Sequence, residues 1–242
     1  MSFARNVLTV SGATLASRIL GFARDTMIAA VLGTSVVADA FFVAFRLPNL
    51  FRRLFAEGAF ASAFVPLLVR TRDEVGADEA RRTTAAALIA LSAAVGLFTA
   101  LAMVFAPALV GVLAPGFSAE PEKFALTVRL ARICLPYLAA VSIAALFAGI
   151  LAAERRFFAA AIAPVTLNLV FIAVLIGLLR RPAGGAEIDG VFLAAAVVVA
   201  GLVQLALLVA ATAAAGSLPA VRAPRFDARV GRFGRLLVPG VI

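Results

Sequence analysis

Apolar residues run through the chain in long stretches, broken at intervals by short polar clusters. Six such stretches lie at about 7–33, 37–68, 84–113, 124–152, 158–179 and 191–215. Each exceeds the roughly 18 residues at which an apolar run reads as a membrane-crossing helix. They are also too long and unbroken for barrel strands. Inside a bilayer the backbone must satisfy itself, so the pattern predicts six helical spans.

The breaks give the connections. Gly33-Thr34-Ser35 reads as a turn, Arg70 to Arg82 as a polar segment, 115–123 as a short loop, Glu154-Arg155-Arg156 as a tight charged link, and 180–190 as a polar loop. Pro48, Pro107, Pro136 and Pro164 fall within the spans, where proline bends a helix and releases a carbonyl. After 216 the chain turns basic, and a further apolar run starts at Leu236 and stops at Ile242. The expected organisation is a transmembrane lobe at 1–221, then a cytoplasmic linker and the truncated start of a seventh span at 222–242. A span needs about 20 residues, so the sequence reads as part of a longer protein.

Composition agrees. Of 242 residues, 64% are hydrophobic and 14% charged, and mean hydropathy is +1.08. A typical soluble domain is about 25% charged. The net charge of +9 could suggest nucleic acid. Most of the arginines lie between the spans, which fits attraction to anionic lipid headgroups, and no nucleic-acid partner is expected. There is no histidine, and the single cysteine, Cys134, sits in an apolar run as a small packing residue. That argues against a zinc site, and neither metal nor cofactor is expected. The first apolar run carries internal arginine and continues as a span, unlike a cleavable signal.

Loop charge sets orientation. Arg70, Arg72, Arg81, Arg82, Arg155, Arg156, Arg222, Arg225, Arg229, Arg232 and Arg235 follow spans two, four and six, whereas Lys123 alone follows spans one and three. Arg180 and Arg181 after span five are a mild exception. The bias places the N-terminus and the even-numbered connections in the cytoplasm.

The anomaly is the charge inside the first two spans. Charge at bilayer depth costs about 2.5–3.5 kcal/mol per residue on the insertion scale, so it faces a bundle interior or a wet cavity. In span one, Ser11, Thr14, Arg18, Gly21 and Asp25 form one helical stripe, with Ser17 and Arg24 on an adjacent strip. Leu15, Ile19, Phe22, Met27 and Ile28 fill the other faces. In span two, Asp39, Arg46, Asn49, Arg53 and Glu57 follow helical steps, and Arg52 is rotated from Arg53. Asp25 is expected to neutralise an arginine across the groove, such as Arg52, because it cannot face the same way as Arg24. The arginines outnumber the acids. Arginine presents a rigid fork of donors suited to phosphate, and a positive cleft with low-dielectric walls concentrates anions. The expected ligand is an amphiphile with a phosphate or pyrophosphate head.

Plainer readings stand beside this one. Arg5, Arg46, Arg52 and Arg53 are placed where arginines can snorkel, and Asp–Arg pairs can simply lock helices together. Asp39, just after a loop, suits an N-cap-like role or a gate pair. Gly12, Gly21 and Gly58 could be close helix contacts. Asn168 and Gln204 are isolated polar groups suited to interhelical hydrogen bonds.

The runs SGATLASRILGFARDTMIAAVLG and ADAFFVAFRLPNLFRRLFAEGAFASAFVP resemble the opening of the MurJ/MviN family, bacterial lipid II flippases of the multidrug/oligosaccharidyl-lipid/polysaccharide exporter superfamily. ARICLPYLAAVSIAALFAGILAAERRFFAAAIAPVTLNLVFI extends the likeness more loosely. The resemblance implies an all-α polytopic membrane protein, here the six-helix N-terminal lobe of a two-lobed, 14-helix flippase of the bacterial inner membrane, monomeric at full length. It implies that Arg18, Arg24 and Arg52 are the functional arginines, with Ser17, Asp25 and Glu57 at the substrate site. Asp39, Arg53 and Arg46 are left to gating or structure. The substrate it implies is the undecaprenyl-pyrophosphate-linked disaccharide-pentapeptide, carried to the outer leaflet by alternating access, with Arg24 and Arg52 on the pyrophosphate.

Other classes fit less well. A flippase for another lipid-linked oligosaccharide shares the physics and is set aside only by the motif. A drug or cation antiporter would want aromatic residues and net carboxylate in its cavity. A membrane enzyme would need a nucleophile, an acid–base group or clustered carboxylates near loop level. A scaffold would be expected to bury uncharged faces.

Overall fold

The computed structural model describes residues 3–55, 59–180 and 185–220, with side chains described over 10–52, 64–180 and 185–220. Among the described residues the chain forms nine α-helices: α1 (Phe3–Leu32), α2 (Val36–Phe55), α3 (Ala59–Val75), α4 (Ala77–Val104), α5 (Ala106–Leu113), α6 (Pro121–Cys134), α7 (Tyr137–Ala153), α8 (Phe158–Arg180) and α9 (Ala186–Ala214). A 3-10 turn, Pro115–Ala119, lies between α5 and α6.

The turns follow local chemistry. α1 stops where Gly33 takes φ +60 and its N–H reaches the Ala29 carbonyl, a left-handed cap that glycine adopts without a Cβ clash. Ser35 then caps α2, its Oγ accepting the Ala38 N–H at 3.3 Å. Thus Ser35, not Asp39, takes the N-cap role. At Glu154-Arg155-Arg156, Arg155 adopts φ +59 and the Arg156 N–H reaches back to the Leu151 carbonyl, closing α7. α9 ends the same way at Gly216, with the Ser217 N–H on the Thr212 carbonyl.

Three expected spans are each built of two helices. Span three divides at Phe105, where Pro107 falls in the first turn of α5, and span four divides at Leu135-Pro136. The stretch drawn as 37–68 comprises α2 and part of α3, and residues 56–58 lie outside the described residues. Pro48 stays inside α2 rather than ending it. The segment Arg70 to Arg82 is not the loop that its polarity suggests. It is helical on both sides of a single residue, Gly76, at φ +111. Arg70–Glu74 and Glu79–Arg82 pairs lie along these helices, and Asp78 and Glu79 meet the positive end of α4. Likewise α6 already begins at Pro121 and α9 at Ala186, so both extend into stretches expected as loops.

α1 packs along α8, α8 along α9, α9 along α7, and α2 along α6, while α3 pairs with α4 and α7. One apolar core gathers around Phe41, Leu47, Leu130, Leu135 and Phe171, and a second around Phe64, Leu91, Leu138, Leu146 and Leu151. Cys134 is buried, as its apolar run suggested. Ile28 is also buried and Met27 packs beside it, so these two turn inward. Of the five expected on the outer faces of α1, Leu15, Ile19 and Phe22 are exposed, with Phe22 at 77%. Among the described residues four segments are long and apolar enough to cross a membrane: Ala77–Val104, Pro121–Ala153, Phe158–Arg180 and Ala186–Ala214. An apolar exterior on such segments makes this an all-α, multi-spanning membrane fold.

Candidate functional site

A half-open cavity of about 630 Å³ lies between α1, α2, α7, α8 and α9. Its two sides differ chemically. α1 contributes Ser17, Arg18, Gly21 and Arg24, and α2 contributes Phe45, Asn49 and Arg52. Half of the residues that α7 and α8 contribute are alanines: Ala144, Ala145, Ala148, Ala160 and Ala163. Small side chains on α7 and α8, which both pack on α9, leave the space, and the arginines opposite make it cationic.

Arg24 is held on several sides. Its Nε and Nη2 donate to Asp25 Oδ1 at 2.9 and 2.8 Å, and its Nη1 donates to Asn168 Oδ1 at 3.0 Å. The guanidinium carbon stands 5.6 Å from the centroid of the Phe171 ring. The Arg24 side chain is 17% exposed, against 58% for Asp25. Asn168 also donates from Nδ2 to the Ser17 carbonyl at 2.9 Å and to Ser17 Oγ at 3.3 Å. One buried amide therefore joins two cavity residues of α1.

The expected residues divide as follows. Ser17, Arg18, Arg24 and Arg52 share the cavity. Asp25 is off its lining and does not serve as a counter-ion from across the groove. It pairs with its own neighbour Arg24, because the long arginine side chain curls back to it. Arg46 is exposed and off the lining, so the α2 strip facing the cavity is Phe45, Asn49 and Arg52 rather than one running through Arg46. Asn49 Nδ2 donates to the Phe45 carbonyl at 3.1 Å, one residue from the carbonyl that Pro48 releases. Ser11 and Thr14 are exposed, and Thr14 bonds back to the Val10 carbonyl. Asp39 lies away from the cavity, its Oδ2 accepting from Lys123 Nζ at 2.8 Å, and that ammonium also stands 4.2 Å from the Phe117 ring centroid. The side chain of Arg53 and the whole of Glu57 lie outside the described residues.

Asn168 and Gln204 do make interhelical bonds, Gln204 Nε2 reaching the Ala163 carbonyl at 2.8 Å. Both also line the cavity, as does Tyr137, a placement that isolated polar residues in apolar runs do not reveal. Among the described residues a Cβ on Gly12 would meet nothing within 4 Å, whereas one on Gly21 would lie 3.8 Å from Asn168 Nδ2. Gly58 lies outside the described residues.

An all-α, multi-spanning membrane protein with an arginine-lined recess between its helices is the class this fold and site define. Residues 28–242 match the family model described as lipid II flippase MurJ, and the chain belongs to that family. It is 45% identical over 243 residues to a protein of Rhizobium tropici and 47% identical over 243 residues to one of Rhizobium meliloti, each named probable lipid II flippase MurJ. Both matches cover 100% of this chain and 45% of the relative, so the chain spans somewhat less than half the length of these proteins. A lipid II flippase MurJ of Burkholderia cenocepacia is 42% identical over 173 residues, covering 72% of this chain and 34% of its own. Among solved structures, lipid II flippase MurJ in an inward closed conformation superposes with a TM-score of 0.71 at 23% identity, covering 96% of this chain and 46% of that one. That likeness supports the fold.

Proposed function

We propose that the chain forms the six-span N-terminal lobe of a two-lobed flippase of the bacterial inner membrane. This protein moves lipid II from the cytoplasmic to the outer leaflet by alternating access. The observation that carries the reading is the convergence of Arg18, Arg24 and Arg52 on one cavity. Guanidinium forks suit pyrophosphate oxygens, and low-dielectric walls strengthen the attraction. The same surplus of positive charge disfavours a cationic drug. The names of the relatives supply the particular lipid. In this reading the two charged helices α1 and α2 also cross the membrane, with Arg18, Arg24 and Arg52 turned to the cavity. The N-terminus lies in the cytoplasm, and the protein acts as a single chain without cofactor. It is a transporter, not an enzyme, and the sugar-peptide head passes between this lobe and a second one.

The test is a leaflet-accessibility assay for lipid II with Arg24→Ala and Arg52→Ala in the complete protein. Both variants are expected to insert in the membrane and to lose translocation. Normal flipping by both would refute the assignment.

A further inference from the structure

Asn168 joins α8 to α1, yet its amide also meets a cavity arginine. We propose that Asn168 is a positioning residue of the anion site, fixing the Arg24 guanidinium against the Ser17 turn of α1. This rests on the reading of the cavity as a phosphate site.

Three observations carry it. First, Asn168 is 4% exposed in a helix whose other polar side chains are only Thr166 and the terminal Arg180, so its amide must be satisfied by protein. Second, both ends of the amide are used, and in one sense only. Oδ1 accepts from Arg24 Nη1, and Nδ2 donates to the Ser17 carbonyl and Oγ. Turned over, the amide would set donor against donor and acceptor against acceptor. Third, Phe171 lies one turn further along α8 and stands beside the same guanidinium at 5.6 Å. One face of α8 therefore holds both an edge and the ring-facing side of Arg24, while Asp25 holds the Nε edge. Each terminal nitrogen carries a second N–H beyond these contacts, and a phosphate oxygen can take it. Without Asn168, the charge remains but its direction is lost.

Binding of undecaprenyl pyrophosphate to the complete protein in phosphatidylcholine nanodiscs tests this. The variants are Arg24→Ala, Asn168→Leu and their double, together with Asn168→Asp, which keeps the size of the side chain should leucine prevent folding. Arg24→Ala and Asn168→Leu are each expected to weaken binding about tenfold, the worth of one charge-assisted hydrogen bond. In the Arg24→Ala background, Asn168→Leu is expected to add almost nothing, because its effect passes through Arg24. Asn168→Asp is expected to weaken binding at least as much, since a carboxylate there neutralises Arg24 and gives up the donor to Ser17. If Arg24→Ala binds like the parent protein, the phosphate-site reading fails. If Arg24→Ala is weakened but both Asn168 variants bind normally, positioning is overturned and the reading stands. Positioning is likewise overturned if Asn168→Leu costs the same factor with and without Arg24, the mark of a merely structural tie.

Discussion

The Met103 carbonyl accepts a hydrogen bond from Arg132 Nε at 3.1 Å, joining the end of α4 to α6. This carbonyl lies four residues before Pro107, which has no N–H to give it. A proline thus opens the helix, and a cation from a neighbouring helix fills the opening.

We predict that Arg132→Ala destabilises the protein by about 1 kcal/mol, the usual net worth of one hydrogen bond. Pro107→Ala restores a backbone donor within reach of Met103, so the Arg132→Ala penalty should shrink in that background. Thermal unfolding of the two single variants and the double in detergent measures the coupling. An equal Arg132→Ala penalty with and without Pro107 would reject the link.

Hydropathy and proline made most of the helices legible, but hydropathy reports environment rather than conformation. That is why the segment Arg70 to Arg82 reads as a loop although it is rich in helix-forming Arg, Ala and Glu. The helical wheel likewise gives the direction of a Cβ, not the reach of a side chain. It therefore separates Arg24 from Asp25, which the structure pairs at 2.8 Å. Nor does it set the rotation of α2 against its neighbours, so the stripe through Arg46 gives no sign that packing turns Arg46 outward and Arg52 to the cavity. The partner of Asn168 lies some 150 positions away on α1, and no local pattern names it.

Glycine spacing shows the same limit, and it yields a second prediction. A Cβ on Gly201 would stand 2.6 Å from Tyr137 Cδ2, and one on Gly190 2.6 Å from Val37 Cγ1. Tyr137 is buried and its ring cannot swing clear. Gly201→Ala should cost about 1–3 kcal/mol by overpacking the α7–α9 seam and should also disturb the cavity wall that Tyr137 forms. Gly96→Ala, with nothing within 4 Å of the added Cβ, is the control and should be neutral or better. Melting temperatures of the purified variants decide it, and equal values for Gly201→Ala and Gly96→Ala would contradict the close contact.

Charge alone should not replace Arg24. Its side chain engages Asp25 through two nitrogens and Asn168 through the third. A lysine ammonium is a point charge and cannot span both partners. If the proposed function holds, the complete protein carrying Arg24→Lys should lose most of its lipid II translocation while keeping its membrane level. Arg18→Lys should be milder, because Arg18 is more exposed at the cavity edge. Comparing the two in a leaflet-accessibility assay checks this, and equal retention of activity would show that only net charge matters.

Orientation can be read with a single thiol. Cys134 is fully buried, and the complete protein with Cys134→Ser and any cysteine beyond Ile242 replaced by serine should give a background that reacts with no maleimide. Thr34, in the exposed turn between α1 and α2, and Arg156, in the charged link after α7, are placed by the arginine bias on opposite sides of the membrane. In that background, Thr34→Cys should label with a membrane-impermeant maleimide in cells with a permeabilised outer membrane. Arg156→Cys should label only once the inner membrane is opened. Opposite sidedness needs an odd number of crossings between the two positions, here three passes: α2 with α3, α4 with α5, and α6 with α7. Labelling of both from the same side would mean that α2 and α3 do not complete a crossing, and would remove the six-span reading together with the placement of Arg52 inside a membrane-spanning bundle.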